Sequence, residues 1–157
     1  MKVKTALVVI AATLLSCSNN KTEKTEGKKD VLPLVGTWRI VSGLTIQKKD
    51  STFTDYTKGK KGIKIVNGTH FSFLIHDLTK GKEKTPLFDV GGGHYTLNGD
   101  KYTEYLDYCN AREWENNKFD FTITIKNDTL TQTGIEKIDS IGVNRINIEK
   151  YVRVKAD

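Results

Sequence analysis

Two cysteines, two prolines and one methionine among 157 residues leave this chain with little covalent or local bracing. Two cysteines allow at most one disulfide, so a disulfide-stapled scaffold is excluded. The longest apolar run, Ala6 to Leu15, is about half of the roughly 20 residues that an ordinary bilayer-spanning helix needs. No stretch sustains a helical period for three turns, which excludes a helical bundle. No serine stands in a Gly-x-Ser-x-Gly elbow, and Gly91-Gly92-Gly93 opens no helix, so neither a serine hydrolase nor a phosphate loop is indicated. The three histidines do not make a metal site, because His70 and His76 lie roughly 20 Å apart along an extended strand. His94 then has only one of them to join. No cofactor, no metal and no catalytic residue are expected, and the chain is read as a non-enzyme.

What the chain has begins with Lys2 and Lys4 before the apolar run, the layout of a signal peptide. Leu14-Leu15-Ser16-Cys17 resembles the lipobox of bacterial lipoproteins, in which the cysteine receives diacylglycerol. The resemblance implies a signal over residues 1–16, a lipidated Cys17, a membrane as partner and a place in the cell envelope. Ser18, where aspartate would signal retention on the inner membrane, points to the outer one. Residues 18–30 carry no buriable side chain and read, with Cys17, as a solvated tether over 17–30. Removing the signal takes away two lysines, so the charge falls from 25 − 19 = +6 to 23 − 19 = +4. Basic residues are interleaved with acidic ones, and nucleic acid is not expected as a partner. With Cys17 lipidated, Cys109 has no partner and reads as a half-buried structural thiol.

Residues 31–157 form one domain in which apolar and polar residues alternate. Eight strands are predicted: Val35 to Leu44, Gly62 to Asn67, Thr69 to Asp77, Phe88 to Leu97, Lys101 to Tyr108, Lys118 to Lys126, Thr129 to Gly134 and Asn144 to Lys155. Asn67-Gly68, Asn98-Gly99-Asp100 and Asn127-Asp128 mark tight turns between successive strands. Closing eight antiparallel strands into an up-and-down barrel removes their edges; a two-sheet sandwich fits the same count. The Gly91 to Gly93 run marks a bulge or bend. The segment Thr45 to Lys61, with Phe53 and Tyr56, is either a lid over the barrel mouth or a solvated loop. Trp114 either closes one end or shields its loop.

Gly36-Thr37-Trp38 and Tyr151-Val152-Arg153 resemble the opening and closing strands of lipocalins and fatty-acid-binding proteins. Thr69-His70-Phe71, Gly92-Gly93-His94-Tyr95, Leu97-Asn98-Gly99-Asp100, Tyr102-Thr103-Glu104 and Gln132-Thr133-Gly134 resemble a lipocalin-like domain of secreted bacterial lipoproteins. The resemblance implies an eight-stranded barrel, Trp38 packed against Arg153 beneath its closed end, and an interior open to a small apolar or amphipathic ligand. It transfers no catalytic residue. Where that domain commonly closes with tryptophan, this chain has Tyr151.

Alternation places Phe71, Phe73 and Ile75 on one strand face, and Phe119, Phe121, Ile123 and Ile125 on another. These aromatics either fill a core or line a ligand cavity. The polar residues in phase with aromatics are Glu104 with Tyr102, Gln132 with Leu130, and Arg153 with Tyr151. A buried Glu104 requires a partner, Arg153 or Arg145, or else a proton. The ligand-contact candidates are therefore Trp38, Phe71, Phe73, Tyr95, Tyr102, Glu104, Phe119, Phe121, Gln132, Tyr151 and Arg153. The other expectation is an envelope module that recognises a protein and whose barrel is packed and empty of ligand.

Overall fold

The computed structural model describes residues 33–155, so the signal, Cys17 and the tether lie outside the described residues. Nine strands form one antiparallel sheet: β1 (Gly36–Gln47), β2 (Asp50–Asp55), β3 (Lys60–Val66), β4 (His70–Asp77), β5 (Phe88–Asn98), β6 (Lys101–Cys109), β7 (Asn117–Lys126), β8 (Thr129–Ile138) and β9 (Val143–Arg153). Successive strands from β3 to β9 pair in order, and β9 returns to β1. Eight strands thus close the barrel. The ninth, β2, falls within the segment expected to be a loop, and it pairs with the second half of β1.

Strand β1 serves two neighbours on one side. Residues 36–39 pair with β3, and beyond a register shift between Ile40 and Ser42 residues 42–47 pair with β2. The shift turns the chain, and the Val41 carbonyl left out of the ladder accepts the Tyr56 amide at 3.1 Å. That bond fixes the return from β2. Phe53 consequently faces outward at 67% exposure, whereas Tyr56 turns into the barrel. The two aromatics of this segment do opposite things.

Turn chemistry follows the sequence in two different ways. Asn127 and Asp128 both adopt positive φ, 48° and 59°, the backbone of a tight two-residue hairpin between β7 and β8. At Asn67-Gly68 the glycine does not need its freedom: the Asn67 carboxamide oxygen accepts the Thr69 and His70 amides at 2.8 and 2.7 Å. The glycine run does mark a bulge. The β5–β6 register shifts between Gly92 and Gly93, and a Cβ on Gly93 would collide with the Tyr105 carbonyl oxygen. The bulged Asp107 accepts both the His94 amide and its Nδ1.

The 78–87 connection is ordered by one carboxylate. Asp77 accepts the Thr79 hydroxyl at 2.7 Å, the Gly81 amide at 2.8 Å and the Leu87 amide at 2.9 Å. Those bonds, the Thr79 hydroxyl first, hold its pKa well below the ordinary 3.8. A depressed carboxylate stabilises the fold above its unfolded pKa and loses that contribution as pH falls through the folded one. Asp77→Asn should therefore flatten the acid limb of a stability–pH curve below about pH 4, read by thermal melts; an acid limb identical to the parent's would refute the assignment.

The lower half of the barrel is a packed core of Leu34, Trp38, Ile40, Val66, Phe71, Tyr102, Phe121, Ile123 and Leu130, each less than 5% exposed. Trp38 is fully buried and its Nε1 donates to the Leu34 carbonyl at 2.8 Å. The Arg153 guanidinium lies 4.0 Å from the centre of the Trp38 ring and donates to the carbonyls of Val35 and Pro33. Gly36 belongs to this closure, because at φ 146° a Cβ would come within 2.5 Å of Arg153 Nη1. The Gly-x-Trp…Arg pattern is thus one structural unit that seals the lower end.

Candidate functional site

Above the core the barrel is hollow. A cavity of about 420 Å³ opens at the end opposite Trp38, and its lining mixes aromatic with charged side chains. A drug-sized ligand site usually falls between roughly 300 and 1,000 Å³, so this volume suits one small molecule.

The floor of the cavity is a buried ion pair. On β3 the isoleucines point outward, Ile65 at 41% exposure, and Lys64 points in at 2%. Its ammonium pairs with Glu104 and donates to Gln132 Oε1 at 2.8 Å. It also lies 5.2, 5.5 and 5.6 Å from the ring centres of Phe71, Tyr102 and Tyr151. Three aromatic faces, one carboxylate and one carboxamide compensate the desolvated charge. Glu104 thus has a partner, as burial required. It is Lys64, however, and neither Arg153 nor Arg145 as expected from sequence. Arg153 is committed to the Trp38 closure and Arg145 to Glu136. The hydroxyl of Tyr102, beside this group, is buried with no hydrogen-bond partner among the described residues.

Strand β9 supplies the wall. Arg145, Asn147, Glu149 and Tyr151 all line the cavity, while Ile146, between the first two, is 40% exposed outside. Arg145 Nε bonds Glu136 Oε2 at 2.6 Å and Asn147 donates to Oε1 of the same carboxylate at 2.8 Å. Burial raises the Glu136 pKa, and Arg145 opposes that rise. Glu149 accepts the Tyr151 hydroxyl at 2.6 Å. Burial and then the Glu149 charge push the Tyr151 phenol far above its ordinary pKa, so it remains a donor.

Two further residues complete the mouth. Trp114, carried on a short 3-10 turn (Arg112–Trp114), packs 5.8 Å from Phe119, and the Arg145 guanidinium stacks 4.9 Å from its ring centre. It narrows the open end. Tyr56 enters from the return after β2, its phenol pushed up to about 12 by burial and by Glu149. Asp89 on β5 faces the same space; burial, then Glu149, raises its pKa. Cys109 is half-buried in the wall and its thiol is shifted upward by burial.

Of the ligand-contact candidates read from sequence, Phe73, Glu104, Phe119, Gln132 and Tyr151 line the cavity. Trp38, Phe71, Tyr102 and Phe121 lie in the core beneath it, Arg153 closes the base, and Tyr95 packs at 5.3 Å against Tyr102 with its hydroxyl donating to Asn67. Sequence reasoning missed Lys64, Asp89, Glu136, Asn147 and Glu149 as lining groups. For Glu149 and Asn147 the signal existed, since both lie in phase with Tyr151 on the last strand. The histidines are outside: His70 and His94 are cross-strand partners with ring centres 6.4 Å apart, and His94 stacks 4.4 Å from Tyr105.

No family model and no curated protein matches this chain. Among solved structures, it is similar to two point mutants of the fluorescent protein UnaG, each at TM-score 0.36. One is 12% identical over 77% of this chain and 96% of that one; the other is 13% identical over 78% and 97%.

Proposed function

We propose that this protein binds one small amphipathic molecule in its barrel, without changing it chemically, and does so at the cell envelope on a lipid carried by Cys17. The observation that supports the reading is the 420 Å³ cavity above a fully packed base. A barrel of this size could have filled its interior with side chains. Instead Phe73, Phe119 and Trp114 offer apolar surface and the β9 wall offers hydrogen-bonding groups, the division of labour of a ligand pocket. The Leu14-Leu15-Ser16-Cys17 sequence supports the anchor.

Native mass spectrometry of the full chain recovered from a bacterial envelope tests both parts. The expected mass is that of a chain starting at a lipid-bearing Cys17, with a non-covalent small-molecule adduct in one-to-one ratio. Saturable binding of the neutral dye Nile red should be weakened about tenfold or more by Ala111→Trp at the cavity mouth, the scale of one lost pocket contact set. An unmodified chain would refute the anchor. A chain with no adduct and no saturable dye binding would refute the lumen.

The outer face supports a second reading, an interaction module. Register aligns Phe53, Leu44 and Ile148 across β2, β1 and β9, and Ile46, Ile146 and Ile135 across β1, β9 and β8. Phe53, Ile135 and Ile146 are 67%, 58% and 40% exposed, an apolar strip on the outside of a strand set whose inside is polar. Phe53→Asp with Ile146→Asp separates the readings, because it leaves the lumen untouched.

A further inference from the structure

Charge in the lumen is not balanced. Six charged side chains line it: the bases Lys64 and Arg145, and the acids Asp89, Glu104, Glu136 and Glu149. Two acids are already matched, Glu104 by Lys64 and Glu136 by Arg145. Two bases minus four acids leaves −2, and the excess belongs to Asp89 and Glu149. Neither forms a salt bridge among the described residues; Glu149 has only the Tyr151 hydroxyl. These carboxylates line the same half-enclosed space, near enough for the Glu149 charge to raise the Asp89 pKa, and there like charge and lost hydration both cost free energy.

We infer that the lumen takes a cationic amphiphile, a small molecule with an ammonium or guanidinium group seated between Asp89 and Glu149 and an apolar body against Phe73, Trp114 and Phe119. The inference rests on the proposed lumen binding and narrows it to a ligand class. An anion such as a fatty carboxylate meets an unfavourable field, because both lumen cations are already charge-matched by Glu104 and Glu136 and the two remaining carboxylates repel it. An ammonium meets two unmatched carboxylates and an aromatic lining that favours cations. Burial and then the Glu149 charge raise the Asp89 pKa, and a cation seated beside the two carboxylates offsets both, so binding expels a proton from whatever fraction of Asp89 holds one. Beside burial, the charged groups that set this titration are Glu149, which raises it, and Arg145, which opposes it.

Isothermal titration of the full chain with 4-phenylbutylammonium, 4-phenylbutanol and 4-phenylbutanoate tests the class, since the three share one body. The ammonium should bind about tenfold or more tighter than the alcohol, and the carboxylate weakest. Asp89→Asn and Glu149→Gln should each weaken the ammonium about tenfold and leave the alcohol unchanged. The preference should also grow between pH 4 and pH 7, and grow less in Asp89→Asn than in the parent. An alcohol or carboxylate that binds as well as the ammonium overturns the cation assignment while the lumen stands. Failure of all three, together with no adduct in native mass spectrometry, overturns the lumen itself. Displacement of the ammonium by calcium chloride at constant ionic strength would reassign the two carboxylates to a metal ion.

Discussion

Lys64→Met should lower the unfolding free energy by about 3–5 kcal/mol, the usual cost of leaving one member of a buried ion pair alone. Lys64 is 2% exposed and Glu104 7%, and Gln132 loses its donor as well. The methionine fills much of the vacated volume, so most of the loss is electrostatic. The double variant Lys64→Met with Glu104→Leu should recover the greater part, because replacing both ends of a buried pair with apolar groups is often neutral. Urea unfolding of parent, single and double variants closes the cycle. A single-variant loss under about 1 kcal/mol would mean that Glu104 simply takes a proton.

Trp38→Ala should cost a similar amount, about 3–5 kcal/mol, through the cavity it opens beneath the core. The ring is fully buried, fixed by its bond to the Leu34 carbonyl and covered by Arg153. Trp38→Phe keeps a ring under the guanidinium and drops the indole donor, so it should lose less, on the order of 1 kcal/mol for the bond plus part of the packing. Arg153→Leu in the same background measures the cation–π share, about 0.5–2 kcal/mol. Equal costs for the alanine and phenylalanine variants would show that the ring packs against nothing that matters.

Much of this architecture was legible in the residues, and the exceptions share a cause. Phe119, Phe121 and Ile123 on β7 announced their buried face because hydrophobicity and burial coincide there. On β3 and on the upper half of β9 they do not: Ile65 and Ile146 face out, and Lys64, Asn147 and Glu149 face in. Period-two alternation gives two faces without saying which is inner. A hollow polar lumen with an apolar strip outside inverts the usual assignment. The partner of Glu104 was missed for the same reason, since a lysine between two isoleucines reads as the solvated one. β2 was missed because the sequence Asp50-Ser51-Thr52-Phe53-Thr54-Asp55 has a single large apolar residue, and its strand exists only by pairing with β1 beyond the register shift.

Closing the barrel joins β1 to β9, and the Arg153–Val35 hydrogen bond spans 118 residues of chain. Closing a loop of that length carries an entropic cost that the β1–β9 pairing has to offset. Until it forms, the two terminal strands are bare edges. The cavity wall of Arg145, Asn147, Glu149 and Tyr151 is on one of those edges. A ligand of the proposed kind, which needs Glu149, would therefore meet its whole site only once β1 and β9 have paired.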